Sequence, residues 1–287
     1  MINERESVYE RISSEYYTLT SSEKKVADYL LSRQQETQFL SISELARCCD
    51  VAEATVSRFC RSLGYGGYNA FKLAVANDSG RIRQGTDFLY GEVKEDDSLE
   101  DISKKIYGAE VDALNQTLEL MDLDALKRAA DLLGEARRVY CMGQGGSMII
   151  ASEAWHLFST VCNKFSAVMD SHLQSITVAT AEPEDVILFF SYSGSTKEMM
   201  HTIEVAKKRQ LRIILVTRFP NSPGALLADI VLQCGSHENP LQSGSVPARI
   251  AQLYLLDVLF SEFTRRDMKK YLGIRSGIAD ALADKHV

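Results

Sequence analysis

The chain has 287 residues, is 45% hydrophobic and 25% charged, and carries a formal net charge of -7. That composition builds packed cores and excludes disorder on a large scale, while the acidic balance argues against a protein that coats nucleic acid or anionic membrane indiscriminately. No apolar run approaches the ~20 residues of a membrane span, and at ~150 residues per domain the length calls for about two domains.

The N-terminus, MINERESVYERISSEYY, has charges where a secretory leader needs an apolar stretch, so a cytoplasmic location is expected. LTSSEKKVADYLLSRQ reads as a helix capped by Ser21 or Ser22, with Val26, Tyr29 and Leu30 on one face. SISELARCCD follows, capped by Ser41 or Ser43. VAEATVSRFCRSLGY supplies a third helix, with Val56, Phe59, Cys60 and Leu63 inward and Gly64 closing it. Asp50 to Ala52 form a turn between the second and third helices, the spacing of a helix-turn-helix. Such a recognition helix sets its N-terminal side chains against base edges while basic residues meet phosphates. Ala54, Thr55, Ser57, Arg58 and Arg61 are the exposed DNA-contact candidates, with Arg58 suited to guanine. The local charge agrees: between positions 55 and 83, Arg58, Arg61, Lys72, Arg81 and Arg83 stand against Asp78 alone. Tyr65, Tyr68 and Phe71 read mainly as core, with Tyr68 and Lys72 also considered near the DNA backbone. The alternative is a trihelical cap whose arginines only solvate a surface.

NDSGRIRQG is turn-rich and EVKEDDSLED is an acidic, solvated run, which marks a seam. The expected division is a helical head over 1–80, a linker over 81–105 and a second domain over 106–287. Beyond the seam, helices are expected at 104–120, 122–134, 148–162, 171–180, 196–209 and 247–263, with a short one ending near Leu227. Between them stand the apolar runs VYCM, KFSAVM, DVILFFS, RIILVT and DIVLQC. Apolar runs alternating with amphipathic helices indicate a mainly parallel sheet flanked by helices. The fold class is therefore an all-α helix-turn-helix domain followed by an α/β domain. Cys48, Cys49, Cys60, Cys141, Cys162 and Cys234 lack CxxC or Cys/His spacing, so reduced thiols are expected, with no metal and no cofactor.

Two turns carry chemistry. In a parallel sheet, ligands settle at the carboxyl ends of strands beside helix N-termini, where free amides and the helix dipole favour an anion. After DVILFFS stand Ser191, Ser193, Gly194, Ser195 and Thr196, four hydroxyls around a glycine that lets the backbone wrap a guest. After VYCM stands GQGGS, where Gly143, Gly145 and Gly146 permit close approach and Ser147 opens a helix. It is neither a dinucleotide fingerprint, since Met148 stands where a third glycine is required, nor a P-loop, since no GK[ST] follows. Together the two turns form an expected phosphate cradle.

The order GQGGS, DSHLQ, SYSGSTKE and QSGSVPARIAQLYLLDVLF closely resembles the sugar isomerase (SIS) domain, over roughly residues 110 to 265. The resemblance implies a phosphosugar site with Ser147, Ser191, Ser193 and Thr196 on the phosphate. From the residues, His172 of DSHLQ either caps its helix or touches a sugar hydroxyl, the latter being preferred, and Ser243, Gly244 and Ser245 offer further hydroxyl contacts. Val246, Pro247 and Ala248 depart from the small residues and serine usual there, which bears on which sugar fits. LTSSEKKVADYLL and YGGYNAFKLAVA resemble the N-terminal domain of RpiR-type regulators, which join this helix-turn-helix to an SIS domain.

The resemblance implies a regulator of transcription, not an enzyme, that binds double-stranded operator DNA and a phosphosugar effector as a homodimer or homotetramer. Isomerisation would need a positioned carboxylate and a His or Lys, from a pool of Glu153, His172, Glu198, His201 and Glu238. The alternatives are a phosphosugar isomerase with a helical oligomerisation front end, and a metabolite-binding protein that regulates another protein.

Overall fold

The computed structural model describes residues 7–33, 40–83, 93, 95–236 and 246–283. The chain forms two compact units, one ending at Val111 and the other beginning at Asp112.

The first unit is built from short capped helices. Helix α1 (Val8–Glu15), unanticipated from the sequence, opens with a capping box: the Ser7 amide donates to Glu10 at 2.9 Å and the Ser7 hydroxyl accepts from the Tyr9 amide at 3.2 Å. Helix α2 (Ser21–Ser32) is capped by Thr20 rather than by Ser21 or Ser22, because only Thr20 stands three residues before Glu23 and can close the reciprocal box. Ser41 caps α3 (Ile42–Cys48) in the same way through Glu44. Asp50 takes a left-handed φ of 51° in the turn to α4 (Glu53–Ser62), and Gly64 does so at 86° beyond it. Helix α5 (Tyr68–Arg83) completes the unit. Val26, Leu30, Leu45, Val56, Phe59 and Phe71 have no solvent exposure, and Phe59 meets Phe71 edge-to-face with centroids 5.9 Å apart. Arg11 is buried with its guanidinium 5.5 Å above the Tyr65 ring.

Helix α6 (Leu99–Leu120) spans the boundary between the units. It starts five residues before the expected 104 because Ser98 and Asp101 form another box, the Ser98 amide donating at 3.2 Å and the Asp101 amide at 3.1 Å. Helix α7 (Leu123–Glu135) leads to β1 (Val139–Gly143), α8 (Gly146–Ser159), β2 (Phe165–Ala167), α9 (Ser171–Thr180), β3 (Val186–Phe190), α10 (Lys197–Lys208), β4 (Arg212–Thr217), α11 (Pro223–Leu227), β5 (Ile230–Gln233) and α12 (Val246–Arg265). A last helix, α13 (Met268–Ala283), is also additional to the sequence reading.

The five strands form one parallel sheet in the order β2-β1-β3-β4-β5. Alternate residues face opposite layers. Cys141, Leu188, Phe190, Ile214 and Val216 pack with α7, α8 and α12. Met142, Ile187, Phe189, Ile213 and Leu215 pack with α9, α10 and α11. Covering on both faces explains why VILFF reads as an unbroken apolar run, all five residues being buried.

Candidate effector and DNA sites

Strand β1 lies beside β3, with Gly143 opposite Phe190 at their carboxyl ends. The GQGGS and SYSGST turns therefore leave the sheet side by side, and the helices they open, α8 and α10, cover opposite faces. The chain runs from β1 to β2 in one direction and crosses to β3 in the other, which makes this gap the topological switch point where open α/β sheets hold ligands.

The SYSGST turn is anchored by β4 and the loop after it. The Ser191 amide donates to the Val216 carbonyl at 3.0 Å, and the Tyr192 carbonyl accepts from the Thr217 hydroxyl at 3.0 Å and the Arg218 amide at 3.1 Å. Gly194 has a φ of 59°, and a Cβ there would stand 2.0 Å from the Ser222 hydroxyl oxygen. Only glycine meets both the left-handed backbone and the close approach. Its carbonyl accepts from the Gly224 amide at 2.9 Å.

The hydroxyls of this turn divide by role. Ser191 is 6% exposed and its oxygen accepts from the Gly194 amide at 3.1 Å, so it shapes the turn while its O–H remains a donor. Truncating Ser191 would leave that buried amide unpaired. Ser193, Ser195 and Thr196 are half-buried at the mouth. Thr196 occupies the N-cap of α10 without a side-chain cap bond. The Ser193 oxygen receives only a long bond, 3.4 Å, from the Ser195 amide. Across the gap, half-buried Ser147 stands in the first turn of α8, and Gly145 before it has a φ of 53°.

Gln174 holds the GQGGS turn in place and was missed from the sequence. It is fully buried, its amide nitrogen donates to the carbonyls of Gly143 at 3.1 Å and Val168 at 2.8 Å, and its oxygen accepts from Gln144 at 2.8 Å. The signal was available: Gln174 and Val178, four residues apart, are the buried positions of α9.

A groove of about 400 Å³ runs between the first turns of α9 and α10, lined by Ser171, His172, Ser175, Lys197, Glu198 and His201. His172 is exposed there, and the cap of α9 is instead Asp170, whose carboxylate accepts from the Leu173 amide at 2.9 Å. Glu153 lies elsewhere, its side chain 44% exposed beside His156 on α8. Ser243, Ser245 and Glu238 lie outside the described residues. Among the described residues no cluster of three or more His, Cys, Asp or Glu can hold a metal ion, and no helix is long and apolar enough to cross a membrane.

In the first unit, α3, the turn at Cys49 to Ala52 and α4 form the helix-turn-helix, fastened by the Ser43 hydroxyl donating to Glu53 at 2.5 Å. Ala54, Arg58 and Arg61 are exposed on α4 and Ser57 is half-buried. Thr55 departs from expectation: it is 6% exposed, in phase with buried Val56, Phe59 and Cys60, and its hydroxyl accepts from Arg58 at 3.3 Å. Tyr68 is likewise core, as its main reading held. It is 9% exposed and donates to the Leu40 carbonyl at 2.8 Å, so the contact with the DNA backbone is not available to it. Burial, with Cys60 and Glu44 nearby, pushes its phenol up to about 12. Half-buried Lys72 lies near Glu44, whose carboxyl is lowered chiefly by hydrogen bonds from Ser41, with Arg47 and Lys72 adding attraction.

Comparison with known proteins places both units. Residues 6–80 match the helix-turn-helix domain of the rpiR family, and residues 132–262 match the SIS domain. The HTH-type transcriptional regulator HexR of Pseudomonas aeruginosa is 32% identical over 260 residues, covering 91% of this chain and 90% of HexR. The chain belongs to the RpiR family of transcriptional regulators. The HexR regulator of Escherichia coli is 29% identical over 278 residues, covering 97% of this chain and 95% of that protein. Among solved structures, the NanR protein of Vibrio vulnificus, complexed with ManNAc-6P, superposes with a TM-score of 0.64 at 27% identity, covering 98% of this RpiR-family chain and all of NanR.

Proposed function

We propose that this RpiR-family regulator binds a phosphorylated sugar across the GQGGS and SYSGST turns, and that binding alters its hold on operator DNA. The carrying observation is the adjacency of the two turns at the β1/β3 switch point. The phosphate sits among Ser147, Ser191, Ser193, Ser195, Thr196 and nearby backbone amides, with Ser191 also accepting from the Gly194 amide that shapes the turn. The sugar extends toward His172 in the groove between α9 and α10, with Ser243 and Ser245 as further hydroxyl contacts. The ManNAc-6P bound by NanR supports the ligand class.

Ala54, Ser57, Arg58 and Arg61 read DNA from α4, and Lys72 adds a backbone contact. The protein acts in the cytoplasm as a homo-oligomer. Two copies related by a two-fold axis present their recognition helices to half-sites about one helical turn, ~34 Å, apart. The helical head, residues 1–80, responds to the sugar-binding body, residues 106–287, through the linker between them. A coupling of about 1–3 kcal/mol changes operator occupancy several-fold or more.

The experiment is a thermal-shift screen of full-length protein against hexose and N-acetylhexosamine phosphates, each paired with its unphosphorylated sugar. A phosphosugar at ~100-fold over its dissociation constant adds about 2.7 kcal/mol of stability. The double variant Ser147→Ala with Thr196→Ala should lose that shift and keep the fold, because neither hydroxyl bonds within the described residues. A response equal to the parent's removes the phosphate assignment. Gel shifts with the gene's own upstream DNA, with and without the sugar, then test the regulation. Turnover of that sugar to its ketose or aldose partner would instead identify an isomerase.

A further inference from the structure

The two turns supply too little positive charge for the ligand they frame. A phosphate monoester carries close to -2 at neutral pH. Each helix N-terminus presents about half a positive charge, so α8 and α10 together offset about half of it. The hydroxyls of Ser147, Ser193 and Thr196 are neutral. Lys197, at the start of α10, is exposed and its charge is spent largely on water.

The first turn of α12 brings a cation to the other turn. The guanidinium of half-buried Arg249 stands where a Cβ on Gly146 would lie 3.4 Å from Nη1 and 4.0 Å from Cδ. Gly146 is the first residue of α8 and immediately precedes Ser147. The arginine thus lies against the helix start that the proposed phosphate faces, and the missing side chain at position 146 leaves it room. Gln252 lies one turn along the same side of α12. It is 1% exposed, and its amide nitrogen has no hydrogen-bond partner among the described residues. Gln252 thus leaves one buried donor on this side of α12 that the described residues do not use.

We infer that Arg249 is the phosphate clamp of this site, closing the GQGGS turn from α12 and completing the charge that the helix ends leave short. The inference rests on the phosphate reading above and adds a third element, α12, to the two turns. A guanidinium suits the task because its planar fork presents paired donors to phosphate oxygens.

The test titrates full-length protein with inorganic phosphate, using chloride at equal ionic strength as the blank, and follows heat and thermal stability. Arg249→Gln should weaken phosphate binding by at least about tenfold, since a hydrogen-bonded charge partner is lost. Arg249→Lys, which keeps the charge and guards against a folding defect in the glutamine variant, should fall between the two because it lacks the fork. If both variants bind within twofold of the parent while Ser147→Ala with Thr196→Ala loses binding, Arg249 is not the clamp and the two-turn reading stands. If all three bind as the parent does, or the parent itself ignores phosphate, the site reading falls and the clamp with it.

Discussion

Replacing Gln174 by leucine tests whether the GQGGS turn is held from α9. Leucine is of similar size but can neither donate nor accept. Three hydrogen bonds disappear, to the carbonyls of Gly143 and Val168 and from the side chain of Gln144. At about 0.5–1.5 kcal/mol net for each, with the upper values favoured where a buried carbonyl loses its donor, the loss comes to about 2–4 kcal/mol. For a unit of this size about 1 kcal/mol moves the melting midpoint by about 2–4 °C, so a fall of about 5–15 °C is expected. Calorimetry or circular dichroism of the full chain, scanned with and without a bound phosphosugar, measures it, and the liganded shift should shrink as well because Ser147 rides on the loosened turn. A midpoint within about 2 °C of the parent would refute the reasoning, showing that backbone contacts alone fix the turn.

Three other outcomes are expected. Gly194→Ala should cost about 3 kcal/mol or more in urea unfolding, from a left-handed alanine and from the collision with buried Ser222. Arg58→Ala should weaken binding to operator DNA by about 1–3 kcal/mol in gel shifts, with little effect on thermal stability because its side chain is exposed. The helical unit should lose stability in alkali. Burial raises the thiols of Cys60 to about 12 and Cys49 to about 11, and the phenol of Tyr68 to about 12, so folding favours their protonated forms. Their contribution is constant below pH 9, where the unfolded thiols begin to ionise, and falls as pH rises toward 12. A helical melt independent of pH across that window would contradict the burial of these groups.

The sheet was legible because its strands are covered on both faces and read as short apolar runs between helices. The two turns were legible because their hydroxyls and glycines interrupt those runs abruptly. Helix α1 was hidden by Arg11, which enters the core by stacking on Tyr65 and so masks the apolar face formed with Val8, Tyr9 and Ile12. Helix α13 was hidden for the opposite reason: none of its described residues is fully buried, so no inward stripe stands out from its sequence. Thr55 was misplaced because a small polar residue in phase with Val56 and Phe59 fits either side of a helix boundary. Ser191 shows the limit most clearly. Its service to the turn, accepting from the Gly194 amide, cannot be read from the run of hydroxyls alone.

The dependence of the SYSGST turn on Thr217, Ser222 and Gly224 has a consequence during synthesis. A nascent chain that has emerged only as far as Thr196 already carries every hydroxyl of both turns, yet lacks the scaffold that gives the second its shape. The pocket cannot mature until at least the next strand and the loop behind it have left the ribosome and docked. The turn should therefore take its shape abruptly with chain length rather than grow with each serine added.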